Sequence, residues 1–188
     1  MRGPEAERHR WIAATFTARV NGVRDWGAPS PVAVWSARDV VEHLVTWSSG
    51  FLAAGGEQLP EGPEVSRDPV AAWEHHVATV QALLDAADVD REFTHPELGA
   101  MPLAQAVDRF YTTDVFLHTW DLATATGQDA RLDPDECAEL LAGMEPVADL
   151  LRGSGHYGPA VAVPDDAPVQ DRLIGFIGRD PQWSPTAT

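Results

Sequence analysis

DRFYTTDVFLHTWDLATATG, residues 108–127, reads as one long helix closed by a glycine. Val107, Tyr111, Asp114, His118, Asp121, Leu122 and Ala125 fall within one face of a 3.6-residue repeat. Phe116, Leu117 and Trp120 cover much of the remaining circumference, so little of this helix is expected to meet bulk water. Three ionisable side chains therefore stand where packing residues belong. Burying a lone carboxylate there costs roughly several kcal/mol unless something compensates it. Asp114 and His118 are four residues apart, which sets their Cβ atoms about 5–6 Å from each other on one stripe. Two ligands so placed can converge on one metal ion. A buried Asp–His hydrogen bond needs no metal and has the same spacing, so this motif alone leaves both readings open.

A third ligand has to come from a neighbouring helix. In RDVVEHLVTW, residues 38–47, His43 borders the apolar face of Val40, Leu44 and Phe51. His43, Asp114 and His118 would supply two imidazoles and one carboxylate. Three protein ligands leave one coordination position open for water or substrate, as catalytic rather than structural sites do. The donor set suits zinc, iron(II) or nickel(II). His43 taken alone is more often a satisfied histidine at a helix edge than a ligand. Asp121 is read as a group that orients a ligand from behind or pairs with an arginine. His75 and His76 are adjacent, point about 100° apart on a helix and are read as surface and edge residues. His9, His95 and His156 lack partners at ligand spacing, and the seven tryptophans are read as core.

Other helix signals lie on either side of this stretch. Trp11, Ile12, Thr15, Phe16 and Val20 predict a first helix over about 5–23. Ser36 and Asp39 have capping-box spacing and open a second helix to about Ala53. Asp68-Pro69 and Asp133-Pro134 each place an N-cap before a proline, predicting helices to about Ala87 and to Gly153. REFTHPELGAM, residues 91–101, is a hairpin or a turn, after which Pro102 starts the long central helix. PVQDRLIGFIG, residues 168–178, predicts a short last helix. The expected fold is all-α: a single domain over residues 1–188, an up-and-down four-helix bundle with an extra C-terminal helix and loop segment laid over one side.

Composition limits the chemistry. The chain of 188 residues is 44% hydrophobic and has no apolar run long enough for a membrane span. A net charge of −16 argues against nucleic acid or an anionic membrane as partner. All 13 basic residues are arginine, which removes Schiff-base, phosphate-loop and Ser-Lys mechanisms. The single cysteine, Cys137, cannot form an internal disulfide and suits a reducing cytoplasm. The N-terminus carries charge with no following apolar stretch, so no signal peptide is expected. Monomer and homodimer are both compatible with these features.

WSARDVVEHLVTW (35–47) followed by DVFLHTWDLATATGQD (114–129) resembles the DinB-like superfamily, in its mycothiol-dependent maleylpyruvate isomerase N-terminal branch. The segment LLRGSGHYGPAVAVPDDAPVQDRLIGFIGRDPQW (150–183) resembles a group of single-domain actinobacterial proteins in that branch. The resemblance implies a four-helix bundle holding one divalent metal through His43, Asp114 and His118. The isomerase has glutamate at the place of Asp114, one methylene longer.

The expected function is that of a metal-dependent enzyme acting on a small-molecule substrate with a thiol such as mycothiol, as transferase or isomerase. A bound dication lowers the pKa of a coordinated thiol, so no cysteine nucleophile of the chain is required. The same open site could activate water for hydrolysis, and a non-catalytic metal-binding or small-molecule-binding bundle is the reading from another class. With no lysine, the group that holds an anionic ligand must be arginine, with Arg152, Arg172 and Arg179 as candidates. Arg152 and Tyr157 stand in a loose segment, and the chain from Arg152 to Val163 is expected either to fold over the metal mouth or to cap the apolar end of the bundle.

Overall fold

The computed structural model describes residues 3–153 and 157–185. Pro4 and the acids Glu5 and Glu7 start α1 (Pro4–Gly22). Its inward face is Ala6, His9, Ile12, Ala13, Phe16 and Val20. Trp11 and Thr15, expected on that face, lie outside it, and Trp11 is 46% exposed. The capping box of α2 (Ala37–Ala54) has formed, with Asp39 N–H donating to Ser36 Oγ at 3.4 Å and Ser36 N–H to Asp39 Oδ2 at 2.7 Å. Asp68 caps α3 (Pro69–Leu84) by accepting from Ala71 N–H at 3.0 Å. An antiparallel hairpin comes next, β1 (Glu92–His95) with β2 (Gly99–Pro102), turned by Gly99 at φ +77°.

The central helix is not one uniform α-helix. It consists of α4 (Leu103–Ala106), a π-helical stretch (Val107–Thr112) and α5 (Thr113–Ala125), with Gly127 at φ +66° just beyond. The Asp108 carbonyl accepts the Thr113 N–H across this wider turn, and two side chains reach it as well. Arg8 Nη1 donates to it at 3.3 Å and Thr113 Oγ1 at 3.3 Å. One extra residue per turn rotates the side chains of α5 by about 100° relative to those of α4. No glycine or proline in VDRFYT signals this, because the stabilising guanidinium comes from another helix.

The helix expected from Pro134 to Gly153 is interrupted. It runs as α6 (Pro134–Met144), tightens into a 3₁₀ turn (Glu145–Val147) at Pro146, which has no N–H to offer, and continues as α7 (Ala148–Gly153). The last helix is α8 (Val169–Phe176). The described residues are thus mostly helical, with a single two-stranded sheet. α1 packs on α3 and α5, α2 packs on the same two, and α8 packs on α6. Trp73, Phe16, Leu44, Leu52 and Leu122 are fully buried between these helices. No helix of the described residues is long and apolar enough to cross a membrane.

His76 corrects its reading as a surface or edge residue. It is 4% exposed, with Nε2 2.8 Å from Ser48 Oγ, and burial with His9 and His75 nearby lowers its pKa to about 4. His9 is also buried, its Nδ1 2.9 Å from Gln81 Oε1, and burial lowers its pKa too. Both rings are therefore neutral in the folded protein near pH 7. A histidine depressed from 6.5 to about 4 leaves the unfolded chain to bind the proton first. Stability should fall as pH drops from about 6.5 to about 4, by about 3 kcal/mol for His76. Urea melts across that range check this. A His76→Gln protein should lose less of its stability than wild type over the same interval, and an equal loss would contradict the assignment.

Candidate metal centre

Asp114 is the hub of the site. Its Oδ2 lies 2.9 Å from His43 Nε2 and its Oδ1 3.5 Å from His118 Nε2. One ligand atom from each of the three residues fits within 4.8 Å of the others. α2 supplies His43 two turns beyond its cap, and the first two turns of α5 supply Asp114 and His118, so the packing of α2 on α5 assembles the cluster. His118 is nearly enclosed, its side chain 4% exposed, whereas His43 and Asp114 are 26% and 23% exposed. The site therefore opens to solvent on the side of those two residues.

Burial pushes the Asp114 carboxyl upward, but His118, His43 and the Arg179 cation together outweigh it and hold the group below its ordinary range. Asp121 is fully buried, with Oδ2 2.8 Å from His118 Nδ1 and 3.1 Å from Arg179 Nη2. There too burial pushes the carboxyl up, and His118 and Arg179 more than reverse it. Asp121 is thus placed beside a candidate ligand and an arginine together. It stands behind His118 and it pairs with an arginine.

Of the aromatic surroundings, Trp47 is legible in the sequence, four residues after His43, and Trp35 is not. The Trp35 ring lies 4.9 Å from that of His43 and stacks on His118 at 5.7 Å, while Trp47 stacks on His43 at 6.0 Å. Half of the WSARDVVEHLVTW motif is therefore wall rather than core. Trp35, Trp47, Thr46, Asp39 and Glu42 line a shallow groove beside His43, and no arginine of the described residues lines it.

The tail delivers Tyr157 but not Arg152. Tyr157 is half-buried and within electrostatic reach of Asp114 and Arg179. Burial, with Asp114 adding to it, pushes its hydroxyl up to about 12. The Arg152 guanidinium instead lies 5.2 Å over the Phe176 ring, and Arg172 approaches Glu145 at 3.6 Å. The cation that reaches the site is Arg179, which the sequence offers as one of three. His156 and part of the predicted lid, residues 154–156, lie outside the described residues. Cys137 is buried, and burial together with Asp133 and Glu136 pushes its thiol to about 12, which leaves it unactivated.

Fold and site define a predominantly helical protein whose two-histidine, one-carboxylate cluster joins two packed helices. Among known proteins, the chain is 32% identical over 180 residues to the uncharacterized protein Rv0738 of Mycobacterium tuberculosis strain H37Rv. It is similar to the same extent to the uncharacterized protein MT0763 of strain CDC 1551. The matches span 91% of this chain and 95% of each relative, and the chain belongs to the family of these two proteins. No family model matches the chain, and no solved structure does.

Proposed function

We propose that this chain is a DinB-like four-helix bundle that binds one divalent metal, most simply zinc, through His43, Asp114 and His118, and uses it in thiol chemistry with a small-molecule substrate. The observation that carries the reading is the shared carboxylate. Two imidazole Nε2 atoms from different helices face the two oxygens of Asp114, and a second buried acid stands behind His118. A carboxylate oriented against the far nitrogen of a histidine is the arrangement that fixes metal-ligating imidazoles. Two imidazoles and a carboxylate form a donor set that zinc, nickel(II) and iron(II) accept.

When bound, the dication supplies Lewis acidity that lowers the pKa of a coordinated thiol or water. The chain's own residues do the rest. Trp35 and Trp47 wall the approach to His43. Tyr157 and Arg179 border the Asp114 side. The groove beside His43 has indole faces and carboxylates but no arginine of the described residues, which favours an uncharged polar thiol such as mycothiol over an anionic one.

Elemental analysis of protein purified without added metal or chelating resin should find about one divalent ion per chain. Adding mycothiol to the cobalt(II)-substituted protein should then change its visible spectrum. Protein that takes up no metal at stoichiometric concentration would overturn the reading. Metal uptake without any spectral response to the thiol would remove the thiol from it.

A further inference from the structure

Arg179 owes its place to a tightly specified helix end. After α8, Arg179 N–H donates to Ile174 O at 3.0 Å and Gly178 N–H to Gly175 O at 3.1 Å, the bond pair of a Schellman cap. Gly178 takes φ +86°, and a Cβ there would meet the backbone of Gly158 at 3.0 Å. The same close approach ties Tyr157, the residue before Gly158, to the end of α8. The cap aims the Arg179 side chain inward. Nε donates to Asp121 Oδ1 at 3.4 Å, Nη2 to Oδ2 at 3.1 Å, and Nη1 to Ile177 O at 3.0 Å. The guanidinium thus holds the carboxylate with two prongs, fixing its plane as well as its position.

That carboxylate lies 2.8 Å from His118 Nδ1 and can only accept a hydrogen. The contact is close without straight hydrogen-bond geometry, and a carboxylate on that side favours the ring form with the proton on Nδ1, with Nε2 left toward Asp114 and His43. We infer that Arg179 is a positioning residue of the centre, holding Asp121 so that it fixes the orientation and tautomer of His118. The inference rests on the reading of His118 as a metal ligand. It extends the site to the residues after α8 and gives the C-terminal segment a part in building it, beyond covering one side of the helices.

The test compares wild type with Arg179→Met, Arg179→Lys and Asp121→Asn. In the metal-free proteins, long-range proton–nitrogen NMR of ring-labelled histidine reads which nitrogen of His118 carries the proton. Chelator competition then gives the zinc affinity, and circular dichroism reports the fold. Wild type should carry the proton on Nδ1. Asp121→Asn keeps the side-chain shape but can donate, so it should move the proton to Nε2 and weaken zinc by about ten- to hundredfold. Arg179→Met should weaken zinc by about tenfold, and Arg179→Lys, which keeps the charge and loses the fork, should recover only part of that. The inference is overturned if the wild-type proton sits on Nε2, or if Arg179→Met matches wild type in both tautomer and affinity. Should Arg179→Met lose its helical signal, Asp121→Asn alone decides. Should wild type bind no zinc, the functional reading falls, and the tautomer comparison still decides the role of Arg179.

Discussion

His118→Ala, and separately His43→Ala, should lose stoichiometric zinc binding, with affinity falling by more than about hundredfold, while the helical circular dichroism stays near that of wild type. Outer groups that merely orient a ligand are worth about ten- to hundredfold, so a ligand itself should exceed that range. The fold should survive because neither histidine holds the helices together. Removing His118 leaves Asp121 paired with Arg179 and Asp114 paired with His43, so no buried charge is stranded. The apolar cluster between α1, α2, α3 and α5 is untouched by either change. Elemental analysis and a zinc titration of each variant check this. A His118→Ala protein that keeps one zinc per chain would sink the ligand assignment, and one that unfolds would show that the imidazole is structural.

The largest loss of stability should come from Trp73→Ala, at about 3–5 kcal/mol. Trp73 is fully buried, its ring 4.5 Å from Phe16, and its Nε1–H donates to Thr17 Oγ1 at 2.8 Å. It therefore fixes α3 to α1 by both shape and hydrogen bonding, and truncation leaves a cavity in the centre of the packing as well as a lost partner for Thr17. In a chain of this length the midpoint of thermal unfolding should drop by about 10 °C. Trp73→Phe fills much of the space and should cost less than the alanine change. Urea denaturation of the three proteins measures the difference, and a loss under about 1 kcal/mol for Trp73→Ala would mean that the helices close up around the gap.

Local signals are the legible ones. Ser36 with Asp39, Asp68 with Pro69, and Asp133 with Pro134 mark helix starts that the backbone adopts, because a cap depends on atoms within a few residues. The apolar repeat of residues 107–125 marks a buried helix for the same reason, and the three polar groups stand out against it. Less is readable where a distant partner decides. Pro146 is visible in the sequence, yet the 3₁₀ turn it sits in and the packing of α8 on α6 are not. The π-helical stretch is met at the Asp108 carbonyl by Arg8, a hundred residues away.

The sequence by itself determined that the protein is mostly helical, that Asp114, His118 and Asp121 share a buried stripe, and that no lysine chemistry is open to it. These properties come from the 3.6-residue period and from composition, both belonging to the chain alone. Tertiary structure decided the remaining features. It chose Arg179 over Arg152 as the cation behind the site, since a Schellman cap and the Gly158–Gly178 contact aim one side chain while Phe176 engages the other. It set Trp35 against His43 and His118 and buried His76, residues that the sequence alone assigns to core and to edge respectively. A side chain's direction along one helix is periodic, but which other helix lies there is fixed only when the helices pack.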